Sequence, residues 1–263
     1  MRNTFCTIDL TFTIVDRARC ADVCAKMIAQ SKDKAQETNC LYYGFCSGLG
    51  VNDNKATSLV VRSAHLDAKG VNTQLMDHFG DEYLLREEVH AFKLKSLIIH
   101  GPEDQIEEIK PFADPLGAKY FVTLDGGFTN LDSSLCDGDD QSDTLVTVYG
   151  LITALDWDKF DHAPFVEATA MEEGVAFYGF ACDKENNQVL VREAYRDGDA
   201  FNVHADNVNL LWGKLLEEGV VQLDSFRMQG PAAECAKTKQ ATELLGADIM
   251  PMTGSSFARY TII

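Results

Sequence analysis

The chain repeats itself. Leu41-Tyr42-Tyr43-Gly44-Phe45 returns as Ala176-Phe177-Tyr178-Gly179-Phe180, an offset of 135 residues, and run upstream without a gap the same offset sets Phe12-Thr13-Ile14 against Thr147-Val148-Tyr149. Further on, Val61-Arg62-Ser63-Ala64-His65-Leu66-Asp67 aligns with Val191-Arg192-Glu193-Ala194-Tyr195-Arg196-Asp197 at an offset of 130, and His100-Gly101-Pro102 with Gln229-Gly230-Pro231 at 129. Leu116-Gly117-Ala118 then matches Leu245-Gly246-Ala247, and Phe128 and Phe257 close the two copies. A duplication gives every residue a counterpart, which constrains the fold more than composition can. The extra residues of the first copy fall in the Gly- and Asn-rich stretch Ser47 to Ser58, a hairpin loop where insertion costs little. The polar, turn-rich run Asp132 to Asp143 joins the copies. The domains are therefore expected at 1–135 and 142–263.

The second copy reads most clearly. Leu145 to Thr153 is a strand, Asp156 to Glu173 has helical spacing, and Gly174 ends that helix. Val175 to Cys182 and Gln188 to Tyr195 make an antiparallel hairpin. From Asp197 a helix runs to about Glu218, with His204, Val208, Leu211 and Leu215 sharing a face. Val220 to Met228 is a strand, Pro231 to Leu245 a helix, and Asp248 to Phe257 a last extended stretch. This β-α-β-β-α-β order is the ferredoxin-like pattern, an α+β class. One such sheet leaves a face bare, and packing two sheet to sheet covers both. Duplication supplies the second sheet in the same chain, an internal pseudo-dimer that need not associate further.

The net charge of −18 and pI near 4.6 repel phosphate backbones and anionic lipid, so neither nucleic acid nor a membrane surface is an expected partner. No stretch approaches the roughly 18 apolar residues of a membrane span, and Met1 to Ile14 lacks the form of a secretory signal. The eight cysteines are too sparse for the framework of a small secreted domain, and read as reduced cytoplasmic thiols. Cys20 and Cys24 lie four apart on an expected helix with no further ligand near them in sequence, so no metal is expected. Gly48-Leu49-Gly50 lacks the third glycine of a dinucleotide fingerprint, and neither a nucleophile elbow nor a Walker loop is present.

The strand Gly174-Val175-Ala176-Phe177-Tyr178, the strand Val191-Arg192-Glu193-Ala194-Tyr195-Arg196-Asp197, and the helix carrying Ala200 and His204 together resemble the antibiotic-biosynthesis-monooxygenase family. The resemblance spans nearly the whole chain and is closer in the second copy. It implies a dimeric α+β barrel, here intramolecular, with a cleft between each sheet and its own helices. It also implies one of several activities: oxygenation of electron-rich aromatics without metal, flavin or other cofactor, haem breakdown, or isomerisation.

Cofactor-free oxygenation needs a dry pocket, a group to take a phenolic proton and donors for the developing charge. His204 is the candidate base, since imidazole titrates near neutrality and it matches the family's helix histidine. The resemblance adds Asn207 and Tyr178 as catalytic candidates, with Trp212, Tyr149 and Val208 as substrate-binding ones. Tyr149 and Tyr178 sit on adjacent strands, where alternation allows either facing. In the first copy Gln74 stands opposite His204 and Ser63 opposite Glu193, so that copy is expected to be degenerate; His78 aligns with Val208. The expected function is oxygenation of an electron-rich aromatic or quinol in the second cleft. The alternative is a non-catalytic binding protein for an apolar metabolite or pigment, and the haem-degrading and isomerase branches are minor readings.

Overall fold

The computed structural model describes residues 5–35, 37–47, 58–79, 91–132, 144–253, 256–258 and 261–262. The first half runs β1 (Cys6–Ile14), α1 (Arg17–Asp33), β2 (Cys40–Cys46), β3 (Ser58–His65), α2 (Ala68–Phe79), β4 (Phe92–Gly101) and α3 (Glu103–Ala113). Short strands β5 (Lys119–Thr123), β6 (Phe128–Thr129) and β7 (Leu131–Asp132) follow. The second half repeats the order with β8 (Val146–Ala154), α4 (Ala163–Thr169), β9 (Val175–Asp183), β10 (Gln188–Tyr195), α5 (Gly198–Glu217) and β11 (Val221–Gly230). It ends in α6 (Ala232–Lys237), α7 (Lys239–Leu244), β12 (Asp248–Pro251), β13 (Phe257–Ala258) and β14 (Thr261–Ile262). Each half is a ferredoxin-like β-α-β-β-α-β unit, and among the described residues no helix is long and apolar enough to cross a membrane.

Strand pairing corrects one of the expected correspondences. Thr7 pairs with Ala64 and His100, and Thr147 pairs with Ala194 and Gln229, so Thr147 is the counterpart of Thr7 at an offset of 140. The ungapped match of Phe12 to Thr147 is therefore five residues out. The difference is absorbed before the hairpin, where α1 has 17 residues and α4 only 7. The helix expected over Asp156 to Glu173 shrinks to α4 because Pro164 fits a helix's first turn but not its interior. The helix expected over Pro231 to Leu245 is broken at Thr238, whose amide donates to the Cys235 carbonyl at 3.3 Å in a tighter turn than the α-helix's own. The joining run and the first-copy insertion fall almost wholly outside the described residues.

One mixed sheet runs in the order β12-β11-β8-β10-β9-β5-β4-β1-β3-β2-β13, with β6 also paired to β9. Each half sends an arm to the other. After pairing parallel to β4, β5 passes to the second half, where Val122 opposes Cys182 and Phe128 of β6 opposes Tyr178. In the same way, Met252 follows β12 and bridges Cys46, while Phe257 of β13 opposes Tyr43. The two ends of the sheet are thus brought together into a barrel.

Alternation sends one set of side chains toward the helices and the other into the barrel. On β1, Cys6, Ile8, Leu10 and Phe12 join the core beneath the first-half helices with Cys20 and Cys24. Val146, Val148 and Ile152 of β8 do so in the second half. With both faces covered, β2 is buried along its length, as expected of a middle layer.

The barrel interior is polar at its centre. Arg62 reaches across to the carbonyl of Leu145 (2.8 Å) and to Thr147 Oγ1 (3.3 Å). Its counterpart Arg192 reaches back to Thr7 Oγ1 (3.0 Å) and lies 3.6 Å from the ring centroid of Tyr149. Asp9, fully buried, accepts from Arg227 at 3.2 Å and from Gln229 at 3.3 Å. Buried charges are tolerated when hydrogen-bonded in this way.

Candidate functional site

The second-half cleft is framed by α5, whose first turn is fixed by Asp197 accepting from the Ala200 amide at 2.9 Å. His204, Val208 and Trp212 then follow at intervals of four and share the face turned to the sheet. They line a cleft of about 390 Å³, whose other walls include Phe201, Phe226, Ala241 and Leu245, with Glu193 at its floor. The turn before β9 presses close beneath the helix: Gly174 has φ +84°, and a Cβ there would lie 3.0 Å from that of Ala200. Glycine meets both demands.

His204 is 2% exposed and sits between two carboxylates. Its Nδ1 is 3.0 Å from Glu172 Oε2, and its Nε2 is 3.9 Å from Glu193 Oε2. Thr169 Oγ1 lies 3.4 Å from Nδ1 but donates to Phe165 O at 2.7 Å, which leaves its oxygen to accept. That arrangement places the ring proton on Nδ1, toward Glu172, and the lone pair on Nε2, toward Glu193 and the cleft. Burial raises the pKa of Glu193, with His204 acting against the shift. The Tyr195 hydroxyl donates to Glu193 Oε2 at 2.8 Å, and burial followed by the neighbouring Glu193 keeps it protonated well above the usual tyrosine range. Such a group can take a proton from a bound molecule at Nε2 while Glu172 balances the imidazolium that forms.

The expected residues divide by position. His204, Val208 and Trp212 line the cleft together. Tyr178 packs against His204 with ring centroids 5.1 Å apart, fully buried beneath it. Asn207 is exposed and supports the site from behind, donating to Glu172 Oε1 at 2.6 Å. Tyr149 takes the facing away from the cleft: it points into the barrel beneath Arg192, and so does not line the site expected of it. Glu172 was not singled out in sequence, and Glu193 and Tyr195 entered only as members of the resembling strand, without a role in the site. The signal for Glu193 was present, because it interrupts Val189, Val191 and Tyr195 on the buried face of β10.

The first half builds a different interior at the same place. Ser63 replaces Glu193 and Gln74 replaces His204, while His65 bonds Gln74 through Nε2 and lies 3.0 Å from the Thr38 carbonyl through Nδ1. His78 Nε2 meets the Tyr43 hydroxyl at 2.9 Å, and burial brings the imidazole down to about 4. The residues there are locked to one another, and the histidine between carboxylates is not reproduced.

No family model matches the chain, and no curated protein matches it. Among solved structures it is similar to a Fusobacterium nucleatum protein provisionally named a monooxygenase. The identity is 10%, with 87% of this chain and 91% of that one covered and a TM-score of 0.53. A Lactobacillus acidophilus protein named in the same way gives 12% identity, 85% and 91% coverage and a TM-score of 0.49. A chlorite dismutase variant from Candidatus Nitrospira defluvii gives 9% identity, 79% and 83% coverage and a TM-score of 0.40. The likeness is one of fold, that of the dimeric α+β barrels, with both halves here in a single chain.

Proposed function

We propose that the chain is a small-molecule enzyme of the antibiotic-biosynthesis-monooxygenase type, oxygenating a neutral electron-rich aromatic or quinol in the second-half cleft without a bound cofactor. The observation that carries this reading is His204, buried between Glu172 and Glu193 at the floor of a cleft that sets the aromatic rings of Phe201, Trp212 and Phe226 among polar side chains. Nε2 takes the acidic proton of the substrate, and Glu172 stabilises the resulting imidazolium. The substrate anion gives an electron to O₂, and recombination forms a carbon–oxygen bond to a hydroperoxide. An activated methylene then loses water to become a carbonyl, so that one oxygen atom stays with the product and the other leaves as water. Glu193, whose pKa burial raises, stands beside the site of the developing charge, held there by the Tyr195 hydroxyl. The first half, with Ser63 and Gln74 at the equivalent positions, is the scaffold half.

The test is oxygen uptake with mass analysis of products, using phenols, hydroquinols and anthrones in the presence of a chelator. Turnover should proceed with one oxygen gained, fall by about 100-fold or more in His204→Ala, and persist in His78→Ala. Equal losses in the two variants would overturn the assignment of a single working half. A wild-type protein that takes up no oxygen with any of these compounds would count against oxygenation.

A further inference from the structure

The cleft continues past Glu193, Trp212, Phe226 and Leu245 into an annex of about 50 Å³ lined by Gly150, Ile152, Val191, Leu216, Val221 and Leu223. Apart from Glu193 at its lip, every lining residue is apolar or glycine. A void of this size exceeds what one water needs, yet its walls offer water almost no partners, so an apolar group is the favoured occupant. The annex owes its depth to a missing side chain. Gly150 on β8 lies between Val191 of β10 and Phe226 of β11. A Cβ there would stand 3.4 Å from Val191 Cβ and 3.8 Å from Phe226 Cδ2, ordinary contacts that the backbone accepts.

The mouth discriminates by charge. Lys237, the one cation among the lining residues, is already held by Asp199 at 2.8 Å and Glu234 at 3.0 Å, and Asp206 also lines the cleft. An anionic ligand would therefore meet surplus negative charge, in a protein whose net charge is −18.

We infer that the second-half cleft selects neutral phenols or quinols carrying a short unbranched alkyl substituent. The ring hydroxyl lies at His204 and Glu193, the ring rests beside Trp212 and Phe226, and the alkyl chain enters the annex with Gly150 setting its permitted length. This rests on the reading of the cleft as the site for a neutral aromatic, and deepens it.

Calorimetric titration of the full chain with phenol, 4-propylphenol and 4-hydroxybenzoate tests it independently of turnover. The propyl compound should bind about tenfold or more tighter than phenol, as burial of its methylenes predicts, and 4-hydroxybenzoate should bind more weakly than phenol. Alkyl hydrophobicity alone would give the first result in any greasy pocket, so the variants decide. Gly150→Ala, and Leu223→Phe from the neighbouring strand β11, should each remove most of the propyl advantage and leave phenol binding within about twofold. A propyl advantage unchanged in both variants, a benzoate bound as tightly as phenol, or a wild-type chain that binds neither phenol would overturn the inference. Retained ligand preference without oxygen uptake would sink only the catalytic reading. Oxygen uptake from plain phenols with no alkyl preference would sink only this one.

Discussion

At position 100 the two halves answer the same structural question differently. His100 is buried between Thr7 Oγ1 at 3.3 Å and Thr123 Oγ1 at 3.2 Å, and its counterpart is Gln229. Burial, reinforced by the charge of Arg192, lowers the imidazole from 6.5 to about 3. The unfolded chain therefore gains a proton as the pH falls through 6.5, whereas the folded one does not until about 3, so stability is lost across that interval as acid is added. Replacing the histidine by the residue its counterpart uses removes this cost. His100→Gln should gain about 2 kcal/mol over wild type at pH 5 and almost nothing at pH 8, measured by urea unfolding. Identical acid sensitivity in the two proteins would show that His100 is not the linked group.

The element that ties the halves together is the arm. β5 and β6 leave their own half and pair with β9, where Phe128 packs 6.4 Å from Tyr178, which in turn lies 5.1 Å from His204. Phe128→Ala should cost about 1–2 kcal/mol, less than a fully buried phenylalanine because the residue is partly exposed. Amide exchange should accelerate along β9 and leave β2, which carries the other arm, unchanged. Uniform acceleration in both strands would mean that the arms do not act locally. The helices were harder to delimit from sequence than the strands. Pro164 and Thr238 interrupt apolar spacings that by themselves continue, and periodicity does not register a backbone break when the next apolar residue still falls on the right face.

Across the whole molecule, the centre of the barrel is spanned by a reciprocal pair of arginines. Arg62 satisfies a backbone carbonyl and Thr147 of the second half, and Arg192 satisfies Thr7 of the first. Removing either takes away buried hydrogen bonds across the barrel and leaves a cavity, so Arg62→Ala and Arg192→Ala should each cost about 3 kcal/mol. Because the sheet runs through both halves, calorimetry should record one unfolding transition, lowered by either substitution. Two separate peaks, with each substitution moving only one, would show that the halves fold independently.

The sequence by itself determined the duplication, the α+β order of each half and the helix that carries His204, because repeats and hydrophobic periods are properties of the chain read along its length. Asp197 as the helix cap and Gly174 before the second hairpin belong with these, since each acts within a few residues of itself. Only the tertiary structure decided which face Tyr149 presents, since a strand's alternation fixes two facings but not which of them meets the helices. It also brought Glu172, from the loop after α4, and Glu193, from a strand, to either side of a histidine on a third element. Nothing in the spacing of those three residues records that meeting, because packing of the helices on the sheet sets the distance between them and the chain between them does not.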